Sequence, residues 1–392
     1  MPPSDPVLQA HFDKVRASPL YREHYGGITD YRDAPVLDKA ALIGLLQSRF
    51  HLGDETHGVY LVRSGGSTRA PLIFPVDIAE NQEQRRRLAH ELVTSGIIQP
   101  ATIALNMFSY GLIYRTAAIL DDILERCRAT TLPLSAEAND AGLHDAARHF
   151  RPTLLMGSPS RLSLFAHYLG AQGARLEVPD LLYGGELMRP SSAAAFRERF
   201  GTRNIYALYG SAETGTWGWS HGAGALGVYR FIDGIHLEIA EPDAEGFGRV
   251  LVTNLLRERF PIFRYDMGDV GRLGHSDGRP HLELRGRAPL SFVIDSTKLS
   301  VDDFRHVTRD AAAFQIQLSQ NDRGQQALRL LLVQDVPEAD RAAFQARLTL
   351  EVRSLIHCSQ EAVDVSVSLV TPRQLHINPV TAKTPLVADF RG

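Results

Sequence analysis

The sequence predicts an α/β fold made of a large N-terminal domain and a small α+β unit at the C-terminus, and three observations carry that expectation. Between about 101 and 208, short apolar runs alternate with segments of helical spacing. Strands alternating with helices make a parallel sheet covered on both faces. After Gly210 the texture changes to short strand-like runs joined by Asp-Gly and glycine-rich turns, which suggests an antiparallel or barrel-like β subdomain. Beyond Gly286 a smaller pattern of helix, strands, long helix and strand begins, so the chain divides into 1–285 and 286–392. Its 392 residues exceed what one ordinary core carries, which agrees with two domains.

Taken in order, residues 6–50 read as helical, interrupted by turn signals at Ser18-Pro19 and Gly26-Gly27. A strand-like run, Val59 to Arg63, enters a small-residue loop, Ser64 to Ala70, and a second run, Leu72 to Val76, leaves it. Asp77 then caps a helical pattern reaching about Ser95. The predicted parallel strands are Thr102–Leu105, Thr130–Leu134, Thr153–Met156, Leu181–Tyr183 and Asn204–Leu208. The helices between and after them are Leu112–Cys127, Leu143–Phe150, Arg161–Leu169 and Ala193–Phe200. Open sheets of this kind bind ligands beyond the carboxyl ends of their strands. Short strands follow at Val228–Ile232, Ile235–Ile239 and Arg249–Asn254. In the C-terminal unit, a helix is expected near 302–309, strands at 314–318, 328–333 and 363–369, and a long helix from Pro337.

Composition excludes several classes of function. With 44% hydrophobic and 22% charged residues the chain reads as globular, and a net charge of −3 gives no general attraction for nucleic acid or anionic membrane. Arg85, Arg86 and Arg87 run together, as on a solvated helix face. Cys127 and Cys358 stand far apart and form no CxxC pair, so neither a disulfide framework nor a thiolate metal site is expected. No charged start precedes an apolar stretch at the N-terminus, and no run approaches the ~18 apolar residues of a spanning helix, so the expected location is the cytoplasm. Gly222, Gly224 and Gly227 satisfy GxGxxG, but a strand-like run follows them where the dinucleotide motif needs a helix. HExxH, GxSxG, SxxK and GxxxxGK[ST] are all absent.

Four segments carry chemistry. Ser64-Gly65-Gly66-Ser67-Thr68-Arg69-Ala70-Pro71 lies between two strand-like runs, where hydroxyls and successive backbone N–H groups could wrap an anion; the same residues would equally make a plain hairpin. Tyr183-Gly184-Gly185-Glu186 and Tyr209-Gly210-Ser211-Ala212-Glu213 sit at predicted strand ends, and Arg264-Tyr265-Asp266-Met267-Gly268-Asp269 follows. In this order they resemble the SSGTTGKP phosphate loop, the GGE segment, the YGxTE motif and the RYRTGD motif of adenylate-forming enzymes, the ANL superfamily. Ser18-Pro19-Leu20-Tyr21-Arg22-Glu23, Tyr110-Gly111, Gly286-Arg287 and Thr381-Ala382-Lys383 with Val387, Asp389 and Arg391 further resemble the phenylacetate–CoA ligase branch. Within it the chain is similar to compact adenylating proteins, one of them from phenazine-antibiotic biosynthesis.

The resemblance implies ATP-dependent adenylation of a small carboxylic acid, an aromatic one by analogy, with Mg²⁺ and with CoA as a further co-substrate to consider. The N-terminal part would be the adenylation domain and the C-terminal part its lid. It implies that Ser64, Gly65, Gly66, Ser67 and Thr68 hold phosphate, and that Gly184, Gly185, Glu186, Tyr209, Gly210 and Ser211 border the nucleotide. A carboxylate is a good acceptor for a ribose diol, which is the role implied for Asp269. Glu213 would hold the metal or the acyl-phosphate region, Arg287 would open the hinge, and Lys383 would reach carboxylate and α-phosphate. Tyr110, Gly111 and Tyr183 would border the acid. The acyl group would pass to a downstream reductase, a carrier or protein acceptor, or CoA. A nucleotide-binding protein that kept the fold and lost turnover is the rival of a different class.

Overall fold

The computed structural model describes residues 5–49, 57–63, 73–220, 226–287, 291–294, 297–320, 325–356 and 363–391. Helices α1 (Asp5–Ala17) and α2 (Lys39–Arg49) lead into the hairpin β1 (Val59–Arg63) and β2 (Ile73–Asp77). Helix α3 (Ile78–Thr94) starts where the sequence puts its cap: the Asp77 carboxylate accepts from the Ala79 and Glu80 N–H groups, two of the donors a helix start leaves unpaired.

The alternating region forms β3 (Ile103–Asn106), α4 (Thr116–Arg126), β4 (Thr130–Pro133), α5 (Asp140–Phe150), β5 (Leu154–Gly157), α6 (Pro159–Ala171), β6 (Asp180–Gly184), α7 (Pro190–Phe200) and β7 (Asn204–Ser211). Local chemistry sets several ends. Asn139 and Ser158 cap α5 and α6 through their side chains, Pro159 and Pro190 fill first-turn positions that need no N–H, and left-handed Gly201 ends α7.

Strands β3 to β7 run parallel in the order β4-β3-β5-β6-β7. Their alternate side chains enter two different cores. Ala104, Leu154, Met156 and Leu182 pack with α3 and α4, whereas Leu105, Leu155, Leu181 and Tyr183 pack with α5, α6 and α7. That is the two-faced coverage expected from the alternation.

The three antiparallel strands expected after Gly210 are present as β9 (Val228–Phe231), β10 (Ile235–Ala240) and β11 (Gly248–Asn254), and β8 (Gly215–Trp219), β12 (Ile262–Ser276) and β13 (Arg279–Arg287) join them. They are hydrogen-bonded to the parallel strands, giving one eleven-stranded sheet. The join is β9, whose Phe231 and Arg230 pair with β8 while Tyr229 and Val228 pair with β13. The N-terminal helices close the other end, with Phe12, Tyr21 and Tyr25 packed on Phe74, Phe263 and Tyr265, and the Tyr21 hydroxyl donating to the Pro261 carbonyl at 2.7 Å.

The C-terminal residues build a separate core. After the short hairpin β14 (Ser291–Ile294) and β15 (Thr297–Ser300) come a 3-10 turn, Val301–Phe304, and α8 (Arg305–Thr308). Strands β16 (Ala313–Gln320), β17 (Gln326–Val333), β18 (Val363–Leu369) and β19 (Val387–Asp389) form a four-stranded sheet in the order β18-β17-β16-β19, covered by α9 (Arg341–Ser354). Among the described residues no helix is long and apolar enough to cross a membrane.

Candidate active site

A cavity of about 620 Å³ opens where the physics of open α/β sheets puts one. Phe108 follows β3, Ser160 follows β5, Gly184 to Leu187 end and follow β6, and Leu208 to Glu213 end and follow β7, so the wall is made at the carboxyl ends of four parallel strands. The C-terminal unit supplies the opposite wall through Phe314, Thr381, Lys383 and Thr384. The two sides are joined by polar contacts: Ser191 Oγ donates to the Ala311 carbonyl at 3.1 Å, Ser192 Oγ to the Ala312 carbonyl at 2.7 Å, and Arg373 pairs with Asp140 at 2.7 Å.

Lys383 sits at the seam. A tight loop aims it, in which Asn378 N–H donates to the Lys383 carbonyl at 2.9 Å and the Asn378 side chain accepts from the Val380 and Thr381 N–H groups. Its Nζ lies 5.8 Å from the centroid of the Tyr114 ring, within cation–π range. On the other side it approaches Gly185 so closely that a Cβ there would collide with Nζ, and Gly185 has φ +80°, a left-handed backbone that glycine adopts without penalty.

Glu186 fastens the seam. Its carboxylate accepts from the Ser160 N–H at 2.9 Å, the Ser160 hydroxyl at 2.8 Å and the Thr384 N–H at 3.0 Å. Burial pushes its carboxyl above the usual carboxylate range, against the pull of the Ser160 N–H and the Lys383 charge. Glu186 therefore borders the cavity while it ties the residue after Lys383 to the strand-end side.

Glu213 lines the cavity and is 4% exposed. The Tyr265 hydroxyl is hydrogen-bonded to it; burial raises the Tyr265 phenol pKa, and the Glu213 charge and hydrogen bond raise it further. Tyr209 also lines the cavity, held edge-on by Trp217 at 4.9 Å and tilted against Tyr229 at 5.0 Å. Its hydroxyl donates to Asp269 Oδ2 at 2.6 Å.

Of the residues singled out in the sequence, Gly184, Gly185, Glu186, Tyr209, Gly210, Ser211, Glu213 and Lys383 come together on this one cavity. Four others stand elsewhere. Asp269 is 7% exposed behind Tyr209 and is not on the cavity wall. Tyr183 alternates into the helix-covered core beside β7, where its hydroxyl meets Tyr229. Tyr110 is 56% exposed and Gly111 adjoins it in a turn; the neighbouring ring that does face the cavity is Tyr114. Ser64, Gly65, Gly66, Ser67 and Thr68 lie outside the described residues. The Arg287 backbone pairs with Asp269 at the end of β13, and its side chain is likewise outside the description.

The wall also includes residues that sequence reasoning missed: Tyr60, Asn81, Arg85, Arg115 and Arg257. Arg85 is 6% exposed and pairs with Asp122 at 3.2 Å, while Arg86 and Arg87 take Glu83 on the outside. The arginine run is thus a solvated face for two of its three members. The signal was available, since Asn81, Gln84, Arg85 and Leu88 follow the i, i+3, i+4, i+7 spacing of the buried stripe of α3.

No family model matches the chain. Among curated proteins it is similar to an indoleacetate–lysine synthetase from Pseudomonas savastanoi, 23% identical over 232 residues, which are 58% of this chain and 56% of that protein. The match thus takes in a little over half of the relative's length. Among solved structures it overlays 2-hydroxyisobutyryl-CoA ligase in the postadenylation state with R3-HIB-AMP at a TM-score of 0.70 and 18% identity, covering 98% of this chain and 88% of that one. For the same ligase with 2-HIB-AMP and CoA in the thioesterification state the TM-score is 0.61 at 19% identity, covering 99% and 90%. Anthranilate CoA ligase AuaEII with anthranoyl-AMP gives 0.54 at 14% identity, covering 83% and 64%. The fold is the one these adenylate-forming ligases have.

Proposed function

We propose that this protein joins a small carboxylic acid to AMP, R–COO⁻ + ATP → R–CO–AMP + pyrophosphate, with residues 1–285 binding both substrates and residues 286–392 acting as a lid. The observation that carries the reading is the convergence of Gly184–Glu186, Tyr209–Glu213 and Lys383 on one cavity at strand ends, from segments far apart in sequence. The relatives' names, which pair acids with CoA or lysine and with AMP, support it.

In this reading a carboxylate oxygen attacks the α-phosphorus, the bond to the β-phosphate bridging oxygen breaks, and pyrophosphate leaves with the electron pair. Such in-line displacement needs positioning and charge neutralisation more than a covalent nucleophile. Lys383, a point charge on a flexible stem at the seam, meets the incoming carboxylate and the α-phosphate as negative charge builds there. Tyr209 offers a ring face to the purine, and Asp269 behind it, off the cavity wall, holds that ring through the Tyr209 hydroxyl. Glu213 fits a magnesium ion, being a buried carboxylate on the cavity wall. Among the described residues no cluster of three His, Cys, Asp or Glu could hold a metal alone, so the ion would draw its other oxygens from phosphate and water, as magnesium commonly does. Bound there it would supply charge neutralisation at the phosphates.

The acid is read as aromatic, because Phe108, Tyr114, Ile119 and Leu120 line the same cavity as Lys383. The adenylate then passes to an acceptor or reductase in preference to CoA. Pro289, outside the described residues, stands two positions after Arg287, where the larger ligases pivot, and proline fixes φ near −65°. Acid-dependent pyrophosphate exchange across a panel of acids tests the reaction. Exchange above background with at least one acid, falling about 100-fold or more in Lys383→Ala with ATP affinity kept, is expected. Exchange with no acid, alongside intact ATP binding, would favour the nucleotide-binding protein without turnover. Stoichiometric thioester formation when CoA is supplied would overturn the acceptor preference.

A further inference from the structure

On the wall of the same cavity, three guanidinium groups act on one ring, Tyr60. Arg115, the residue after Tyr114, lies 4.4 Å above the centroid of Tyr60. Arg85 and Arg257 act on the same Tyr60 phenol, whose pKa burial raises while all three arginines pull it down. Tyr60 donates to Asn81 Oδ1 at 2.6 Å, which fixes the ring. Arg85 is spoken for by Asp122 at 3.2 Å.

Arg257 and Arg115 are not satisfied in the same way. Arg257 is 2% exposed and donates through Nη1 to the Glu213 carbonyl, yet its Nε and Nη2 have no hydrogen-bond partner among the described residues. Glu213 and Glu80 raise its pKa through space, but burial outweighs them. Glu80 is occupied by the Glu258 and Arg259 N–H groups. Arg115 Nε is buried without a partner as well, and neither arginine has an ion pair among the described residues. Arg115 caps nothing, although it stands at the N-cap of α4. Buried donors of a charged group left open are costly, so two such groups on one cavity wall mark a place where an acceptor belongs.

We propose that the acid adenylated here carries a second anionic group, a carboxylate or a comparable oxyanion, received by Arg115 and Arg257 across Tyr60 while its reacting carboxylate lies at Lys383. This rests on the adenylation reading and names the substrate class for it. The same arginines could in principle take the pyrophosphate portion of ATP, which offers the same oxyanion chemistry. The choice falls on the acid because apolar and aromatic side chains share the cavity wall with Arg115. Tyr114, which precedes Arg115 in the chain, has its ring centroid 5.8 Å from Lys383 Nζ, and Ile119 and Leu120 line the same cavity, walls that suit the organic body of an acid.

The test uses matched acids that differ only in a distal carboxylate: benzoate against isophthalate and terephthalate, phenylacetate against its 3- and 4-carboxylated analogues, and hexanoate against adipate. Both pyrophosphate exchange and calorimetric binding are measured on the wild type, Arg115→Gln and Arg115→Lys. The expected result is a diacid favoured over its monoacid partner by about 10- to 100-fold in kcat/KM, the usual range for a charge-assisted contact. That ratio should collapse in Arg115→Gln and partly return in Arg115→Lys, which a merely structural role for Arg115 would not produce. Equal use of monoacids and diacids would overturn the subsite and leave adenylation standing. So would an Arg115→Gln variant whose KM for pyrophosphate rises alike with every acid, which would assign the arginines to pyrophosphate. Diacid-selective binding without exchange would keep the subsite and remove adenylation, and neither binding nor exchange would remove both.

Discussion

Single atoms decide most at Gly185. The site has no room for a methyl group beside Lys383 Nζ, and its φ of +80° strains any other residue. Gly185→Ala should therefore slow adenylation at least 10-fold by displacing the lysine, with ATP affinity by calorimetry changed much less. An unchanged exchange rate would remove Lys383 from its proposed post. Tyr209 is the second such position. Tyr209→Phe keeps the ring and takes one donor from buried Asp269, which should cost about 1–3 kcal/mol of unfolding free energy in chemical denaturation. Asp269→Ala should in turn weaken ATP binding by about 1 kcal/mol, as the Tyr209 ring loses the hydrogen bond that holds it. What was legible at this scale were the short strings Gly184-Gly185-Glu186 and Tyr209 to Glu213, because strand ends in such sheets border ligands by construction. Tyr110 stands off the cavity wall and Tyr114 on it, since a tight turn with left-handed Leu112 and Ile113 reverses the chain between them. Arg257 was invisible because nothing local in Leu255–Arg259 distinguishes a buried guanidinium from a solvated one.

Among the elements, the parallel strands were read closely. The inner strands carry largely buried apolar runs bounded by turn residues, as in β5 with all four residues buried, while β4 at the sheet edge has none. Strands β8, β12, β13, β14, β15 and β19 went unread. Strand β8 carries two glycines and β12 is polar and bulged against β11, so neither shows a clean period of two. The loop 378–384 is the element that matters most to chemistry, and its fastening is testable. Ser160→Ala and Glu186→Gln each weaken the hold on Thr384. Amide exchange at Thr384 should then rise by about 5-fold, as losing one net hydrogen bond of ~1 kcal/mol implies, with the thermal midpoint nearly unchanged. Ala382 in the same loop has φ +50°. Left-handed geometry costs a non-glycine residue about 1–2 kcal/mol, and glycine gives back about 0.4–1 through the unfolded chain. Ala382→Gly should therefore stabilise by about 0–1.6 kcal/mol.

For the molecule as a whole, acid sensitivity should enter through the N-terminal cluster. His11 is 7% exposed, and burial lowers its pKa from 6.5 to about 4, with Lys14 assisting and Glu258 opposing. A depressed folded pKa means the native state favours the neutral ring, so this stability is present above pH 6.5. It is lost as the pH falls towards 4 and protons bind the unfolded chain first. The loss should reach about 3 kcal/mol, read as a falling urea midpoint between those values, and His11→Phe should flatten the slope over that window. The eleven-stranded sheet and the C-terminal unit meet the cavity from opposite sides, and the Glu186 carboxylate is where they are fastened. A mixed anhydride such as an acyl-adenylate is destroyed by water, so the fastening also sets how much ATP is wasted. Each premature opening would return free acid and AMP and gain nothing. Weakening the carboxylate's hold should therefore show as AMP released in excess of acyl product, a futile cycle whose leak rate reports how long the seam stays shut.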